Sequence, residues 1–167
     1  MLSNKNLLSN IYGVSRVQKD IENETFLSFL PLSHVLERMA GHFYPMFLNS
    51  KIYYAENMEK VAENMSEVSP TIVVSVPRFF EKLHARVLEG VSKASTTKQR
   101  LFQWALGVGL VRTRAELKSQ QPSLAIRLQN IVADRLVFSK IRERTGGRLR
   151  FVVSGGAPLS VAVGEFF

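Results

Sequence analysis

The stretch "PTIVVSVPRFFEKL", residues 70–83, decides the fold. Residues 71–76 form a run of β-branched side chains closed by a proline on each side, which is the pattern of a buried strand. Pro77 sits where a first helical position is expected. Its missing N–H costs nothing there, because that group has no partner inside a helix. "RFFEKLHARVLEGV" continues with helical spacing of its apolar residues.

Upstream, "ENMEKVAENMSEVSP" (56–70) reads as an acidic amphipathic helix with Met58, Val61, Ala62, Met65 and Val68 at helical spacing, stopped by Pro70. "KIYYA" (51–55) is a short run of strand formers, and "FLSFL" (26–30) reads as a buried strand. From Ser33 the pattern "SHVLERMAGHFYPMFL" turns helical, with Ser33 as N-cap, Glu37 in a loose capping arrangement, and Gly41 and Pro45 weakening the later turns. The first residues, "MLSNKNLLSNIYG", predict an amphipathic helix with Leu2, Leu7, Leu8 and Ile11 on or near one face.

Downstream, 92–100 is a polar joint. Two basic helical patterns follow at about 98–119 and 123–145, separated by "SQQPS". "RLRFVVSGGAPLS" (148–160) is a strand ending in a Gly-rich turn, and "VAVGEFF" begins another helix. This alternation predicts an α/β fold: a partial, mostly parallel sheet with flanking helices. In such sheets ligands sit at the carboxyl ends of strands. Three ends stand out: 31–34, 76–78 and 154–158.

The 167 residues suffice for one domain with a core; they are 46% hydrophobic and 22% charged, ordinary for a globular protein. With no cysteine there is no disulfide framework and no Cys-based metal site, which is compatible with a cytoplasmic location. No apolar run reaches the roughly 18–20 residues of a membrane span. The net charge of +8 is uneven: residues 1–70 hold 6 Lys/Arg against 8 Asp/Glu, and residues 71–150 hold 16 against 5. That surplus suits a solvated helical face or an anionic partner, such as a membrane surface reached through the basic helices of 78–150. Trp104 and Phe102 among Lys98, Arg100, Arg112 and Arg114 fit an interfacial helix. No nucleic-acid recognition motif accompanies the charge.

Of the three histidines, His34 and His42 lie eight apart without a third ligand, so no metal site is expected; His84 reads as a surface or boundary residue. His34 falls just past a strand. In "SGGAPL" (154–159), Ser154 precedes Gly155 and Gly156, which let the backbone approach a ligand; Ala157 keeps the next side chain small and Pro158 fixes the exit. Neither a phosphate-loop pattern nor G-x-G-x-x-G occurs, and the context of Ser154 is not G-x-S-x-G, so no catalytic residue is assigned.

Taken together and in this order, "MLSNKNLLSN", "FLPLSHVLER", "PTIVVSVPRFFEKL" and "RLRFVVSGGAPLS" resemble the long-chain fatty-acid–CoA ligases among the adenylate-forming, AMP-binding enzymes. The resemblance covers essentially the whole chain. It implies a ligase that activates a fatty acid with ATP and Mg²⁺ to an acyl-adenylate and passes the acyl group to coenzyme A. It gives His34 a place in the acyl and adenylate pocket. Ser154, Gly155, Gly156, Ala157 and Pro158 fall in the turn against the adenine and the acyl head, and Pro77 and Arg78 at a helix start bordering the acyl channel. The family's phosphate loop ending in Pro-Lys-Gly, its magnesium-binding glutamate, its ribose-binding aspartate and its catalytic lysine have no counterpart in the 167 residues. Residues 1–167 are therefore expected to be part of the large N-terminal domain, truncated at both ends. No cofactor and no catalysis are expected of this piece alone.

Overall fold

The computed structural model describes residues 3–18, 21 and 23–167. The chain divides into two compact units, Met1–Val76 with Arg144–Gly156, and Pro77–Glu143 with Ala157–Phe167.

The first unit is built on four parallel strands: β1 (Thr25–Ser28), β2 (Lys51–Tyr54), β3 (Ile72–Ser75) and β4 (Phe151–Ser154), in the order β2-β1-β3-β4. Phe26 and Leu27 lie opposite Ile52 and Tyr53 on one side and Ile72 and Val73 on the other; Ile72 to Ser75 run in register with Phe151 to Ser154. The mostly parallel sheet expected from the alternation is thus entirely parallel among the described residues. β1 is shorter than expected, because Phe29 and Leu30 leave the ladder after Ser28. The chain moves from β1 outward to β2, then returns to place β3 on the other flank of β1. That reversal makes a switch point between β1 and β3, and open sheets take ligands at the carboxyl ends of strands at such points.

Helix α1 (Asn4–Val17) starts on a Ser3–Asn6 capping box: the Asn6 N–H donates to Ser3 Oγ, and the Ser3 N–H donates to Asn6 Oδ1. Of its expected apolar face, Ile11 is buried and Leu8 half exposed, while Leu2 lies outside the described residues. A helix over 35–47 follows β1. Its Glu37–Phe43 segment is wound as a π-helix and its end, α2 (Tyr44–Phe47), is α-helical. Gly41 and Pro45 therefore widen the helix instead of breaking it: Pro45 has no N–H to donate back, and the Tyr44 N–H reaches Met39 O.

Helix α3 (Val61–Val68) begins later than the apolar spacing predicts. Asn57 Oδ1 accepts the N–H groups of Glu59 and Lys60, so 57–60 is a side-chain-closed turn that leaves Met58 exposed. Ile11, Ile21, Phe26, Tyr44 and Ile72 form the core between the helices and the sheet. Arg150 closes an ion pair on the buried Glu24, joining the lead-ins to β4 and β1.

The second unit is helical: α4 (Pro77–Ser92), α5 (Thr96–Leu117), α6 (Leu124–Ala133), α7 (Ser139–Glu143) and α8 (Val161–Phe166), with a π-wound Asp134–Phe138 between α6 and α7. Pro77 starts α4 as expected. Val87, Phe102, Ala105, Ala133 and Val137 make its core. The side chains that suggested an interfacial α5 divide, with Trp104, Lys98 and Arg100 exposed and the others engaged within the unit. Phe102 is buried in that core, Arg112 pairs with Glu116 at 2.8 Å, and Arg114 holds Glu165 of α8 through two hydrogen bonds. Phe102 is thus a core residue, and both arginines have carboxylate partners. No helix among the described residues is long and apolar enough to cross a membrane.

Candidate functional site

The loop between β1 and the helix over 35–47 is pinned by its own hydrogen bonds. The His34 N–H donates to Pro31 O at 2.8 Å, and Arg38 Nε donates to Leu32 O at 3.0 Å. His34, not Ser33, caps the helix: the Leu36 N–H donates to His34 Nδ1 at 3.3 Å. An imidazole that accepts at Nδ1 carries its proton on Nε2, so this exposed ring offers an N–H donor. The cap fixes the tautomer that a carboxyl or carbonyl oxygen would need.

Across from this helix start lies the turn after β4. The Gly155 N–H donates to Ser75 O at 3.1 Å and extends the ladder one residue past Ser154. A Cβ on Gly155 would come within 3.0 Å of Leu36 Cδ1, so glycine here lets the helix start close on the turn. Gly156 has φ +83°, and a Cβ there would meet nothing nearer than Val76 Cγ1 at 3.9 Å. One flank of the turn is therefore open main chain on which a flat group could lie.

Three of the strand ends carry serine: Ser28, Ser75 and Ser154. Ser75 and Ser154 are partners in register, and the hydroxyl of each is buried without a partner among the described residues.

The structure thus brings His34, Ser154, Gly155 and Gly156 to one edge of the first unit. Ala157, Pro158, Pro77 and Arg78 belong to the second unit, where Pro77 is buried and Arg78 exposed at the start of α4. His42 shares a 2.6 Å hydrogen bond with the Tyr54 hydroxyl of β2, and the His84 ring packs 4.5 Å from Phe166. Among the described residues no three of His, Asp and Glu gather as metal ligands.

Behind the polar edge is an apolar cavity of about 120 Å³ in the first unit. The sheet contributes Phe26, Ile72, Val74, Phe151 and Val153; the helix over 35–47 contributes Ala40 and Tyr44. Strand alternation puts Val153 and Gly155 on one face, so Leu36 at the edge and Ala40 and Tyr44 in the cavity wall line up along one side of a single helix. Their spacing of four is visible in the sequence and is the signal that could have found them.

Glu37 is the residue whose position the sequence most misjudged. Instead of capping the helix it is fully buried, and neither carboxyl oxygen makes a hydrogen bond of normal geometry among the described residues. Burial pushes its carboxyl above the ordinary 4.5 of a glutamate; the Ser28 hydroxyl, the Phe29 backbone and His34 pull it back, in that order, without prevailing. An acid raised on folding stabilises the fold below its unfolded value, and that contribution is lost as pH rises through the folded value. The Glu37 contribution to stability should therefore fall as pH rises from about 4.5, and Glu37→Gln should remove that component of the profile. Urea unfolding followed by far-UV circular dichroism across this range checks it; an unchanged slope in Glu37→Gln would contradict it.

A parallel sheet with a switch point and flanking helices defines an α/β protein. The comparisons narrow that class. The chain belongs to the AMP-binding enzyme family, which matches it over residues 1–167. It is 33% identical to the peroxisomal long chain acyl-CoA synthetase 6 of Arabidopsis thaliana, over 99% of the chain and 22% of that protein. It is likewise 33% identical to the long-chain-fatty-acid–CoA ligase FadD15 of Mycobacterium tuberculosis, over 99% of the chain and 27% of that protein. The putative fatty-acid–CoA ligase fadD11 of Mycobacterium tuberculosis is 31% identical, over 99% and 29%. The chain spans about a quarter of the length of these relatives. No solved structure matches.

Proposed function

We propose that the chain is part of a long-chain fatty acid–CoA ligase and that its first unit supplies the acyl-binding side of the active site. The observation that carries this reading is the helix over 35–47. It begins on His34, sets Leu36 against Gly155, and lines the apolar cavity with Ala40 and Tyr44. A fatty acid would place its carboxyl at the polar edge and its tail along this helix.

In the reaction so assigned, the fatty carboxylate attacks the α-phosphorus of ATP, pyrophosphate leaves, and the thiol of coenzyme A then displaces AMP from the acyl carbon. The part played by these residues is binding and orientation. His34 Nε2–H donates to a carboxyl oxygen. The Gly155–Gly156 turn offers main chain to the acyl head and, on its open flank, to the adenine. The cavity keeps water from the tail. No cluster among the described residues fits Mg²⁺. Nothing observed favours the membrane alternative for 78–150: of the α5 side chains that suggested it, Phe102 lies in the helical core and Arg112 and Arg114 are in ion pairs, while Lys98, Arg100 and Trp104 are exposed.

Titration of the chain with dodecanoate tests the reading. Saturable binding is expected, weakened about tenfold by Ala40→Leu, which fills space worth roughly two buried methylenes of the tail. Absence of binding, or binding indifferent to Ala40→Leu, would count against it.

A further inference from the structure

The cavity is apolar except at two positions, Tyr44 and Gln18. Tyr44 is 4% exposed, and its hydroxyl has no hydrogen-bond partner among the described residues. A phenol buried beside empty apolar space forfeits the hydrogen bond it would make in water, where phenylalanine would fill the same volume without that loss. Such a group is explained if something enters the cavity and meets it. Tyr44 lies ten residues beyond His34 on the same helix, at most about 15 Å away at 1.5 Å per residue. That separation is on the scale of an extended acyl chain and sets Tyr44 far from the carboxyl.

We infer that the cavity selects fatty acids carrying an oxygen, as a hydroxyl or keto group, near the far end of the chain, with the Tyr44 hydroxyl as its hydrogen-bond partner. This rests on the acyl reading above and adds the substrate class. The phenol both donates and accepts, so it serves either oxygen. A site built around a polar partner discriminates because the substrate's buried oxygen is left unpaired when that partner is removed.

The test compares dodecanoate with ω-hydroxydodecanoate on the full chain and on Tyr44→Phe, by calorimetric titration. In Tyr44→Phe the affinity for the hydroxylated probe relative to dodecanoate should fall roughly fivefold or more. Removing an unpaired hydroxyl from a packed site should leave the fold intact, and circular dichroism of the variant confirms that arm. Equal shifts for both probes, or none, would overturn the inference and leave the acyl reading standing. Failure of both probes to bind the wild-type chain would remove the acyl reading and this inference with it. As a second variant, Ala40→Leu should weaken both probes together; weakening of one alone would overturn the shared-cavity placement.

Discussion

Replacing Gly41 with alanine is expected to destabilise the first unit by about 1–3 kcal/mol, the range for overpacking a filled core. A Cβ at this position would stand 2.4 Å from Glu37 Oε1 and 2.6 Å from Glu37 Cδ. A carboxyl at a surface would simply swing aside. Glu37 is fully buried, so the helix or β1 would have to yield instead. Without the Glu37 side chain the sign should reverse, because alanine is the better helix former by up to about 1 kcal/mol. In a Glu37→Ala background, Gly41→Ala should therefore be neutral or stabilising, and the double-mutant cycle measures that coupling directly. Amide exchange of β1 and β3 is the suitable readout. The single tryptophan, Trp104, sits in the second unit and serves as an internal control. An equal cost of Gly41→Ala in both backgrounds would mean that glycine is required for some other reason.

The larger effect is expected at Gly146, in the turn leading to β4. Its φ of +86° lies in the left-handed region, and a Cβ would meet Met65 O at 2.4 Å and Ser69 Cα at 2.5 Å. Both are backbone atoms at the end of α3, and neither can rotate away. The dihedral costs about 1–2 kcal/mol and the clash about 1–3 more, so Gly146→Ala should lose about 2–5 kcal/mol. Gly147 is the natural control. Its φ is also positive, +76°, but a Cβ there meets nothing within 4 Å, so Gly147→Ala should cost only the dihedral. Amide exchange in β3 and β4 checks the pair; equal losses at 146 and 147 would show that the α3 contact is not what demands glycine.

Both predictions concern features that linear patterns hide. The strands and several helix starts were legible because their causes are local: the run rich in β-branched residues at 71–76 and Pro77 at a helix start. The order of the strands was not, because periodicity says nothing about which flank of β1 receives β3. At 56–60 the apolar spacing suggested helix, but the Asn57 side chain closes a turn first. Glu37 was misplaced for a statistical reason with a physical basis: carboxylates rarely lie fully buried without a partner, so a glutamate beside a helix start reads as a cap. Gly41, four residues on, was a clue that something bulky needed room. Of the proposed site, His34 and "SGG" were singled out from the sequence, and Gly155 and Gly156 meet a close neighbour and an open flank respectively. The cavity was not, since it arises where strands and helix meet and no single segment outlines it.

The proposed acyl site is tested most directly by photolabelling the chain with dodecanoate that carries a terminal diazirine, then mapping the modified peptides by mass spectrometry. The expected result is label on the 40–44 segment of the helix and on β4 around Val153, suppressed by excess unlabelled dodecanoate. Label confined to residues 77–143, or label that excess dodecanoate does not displace, would contradict the assignment.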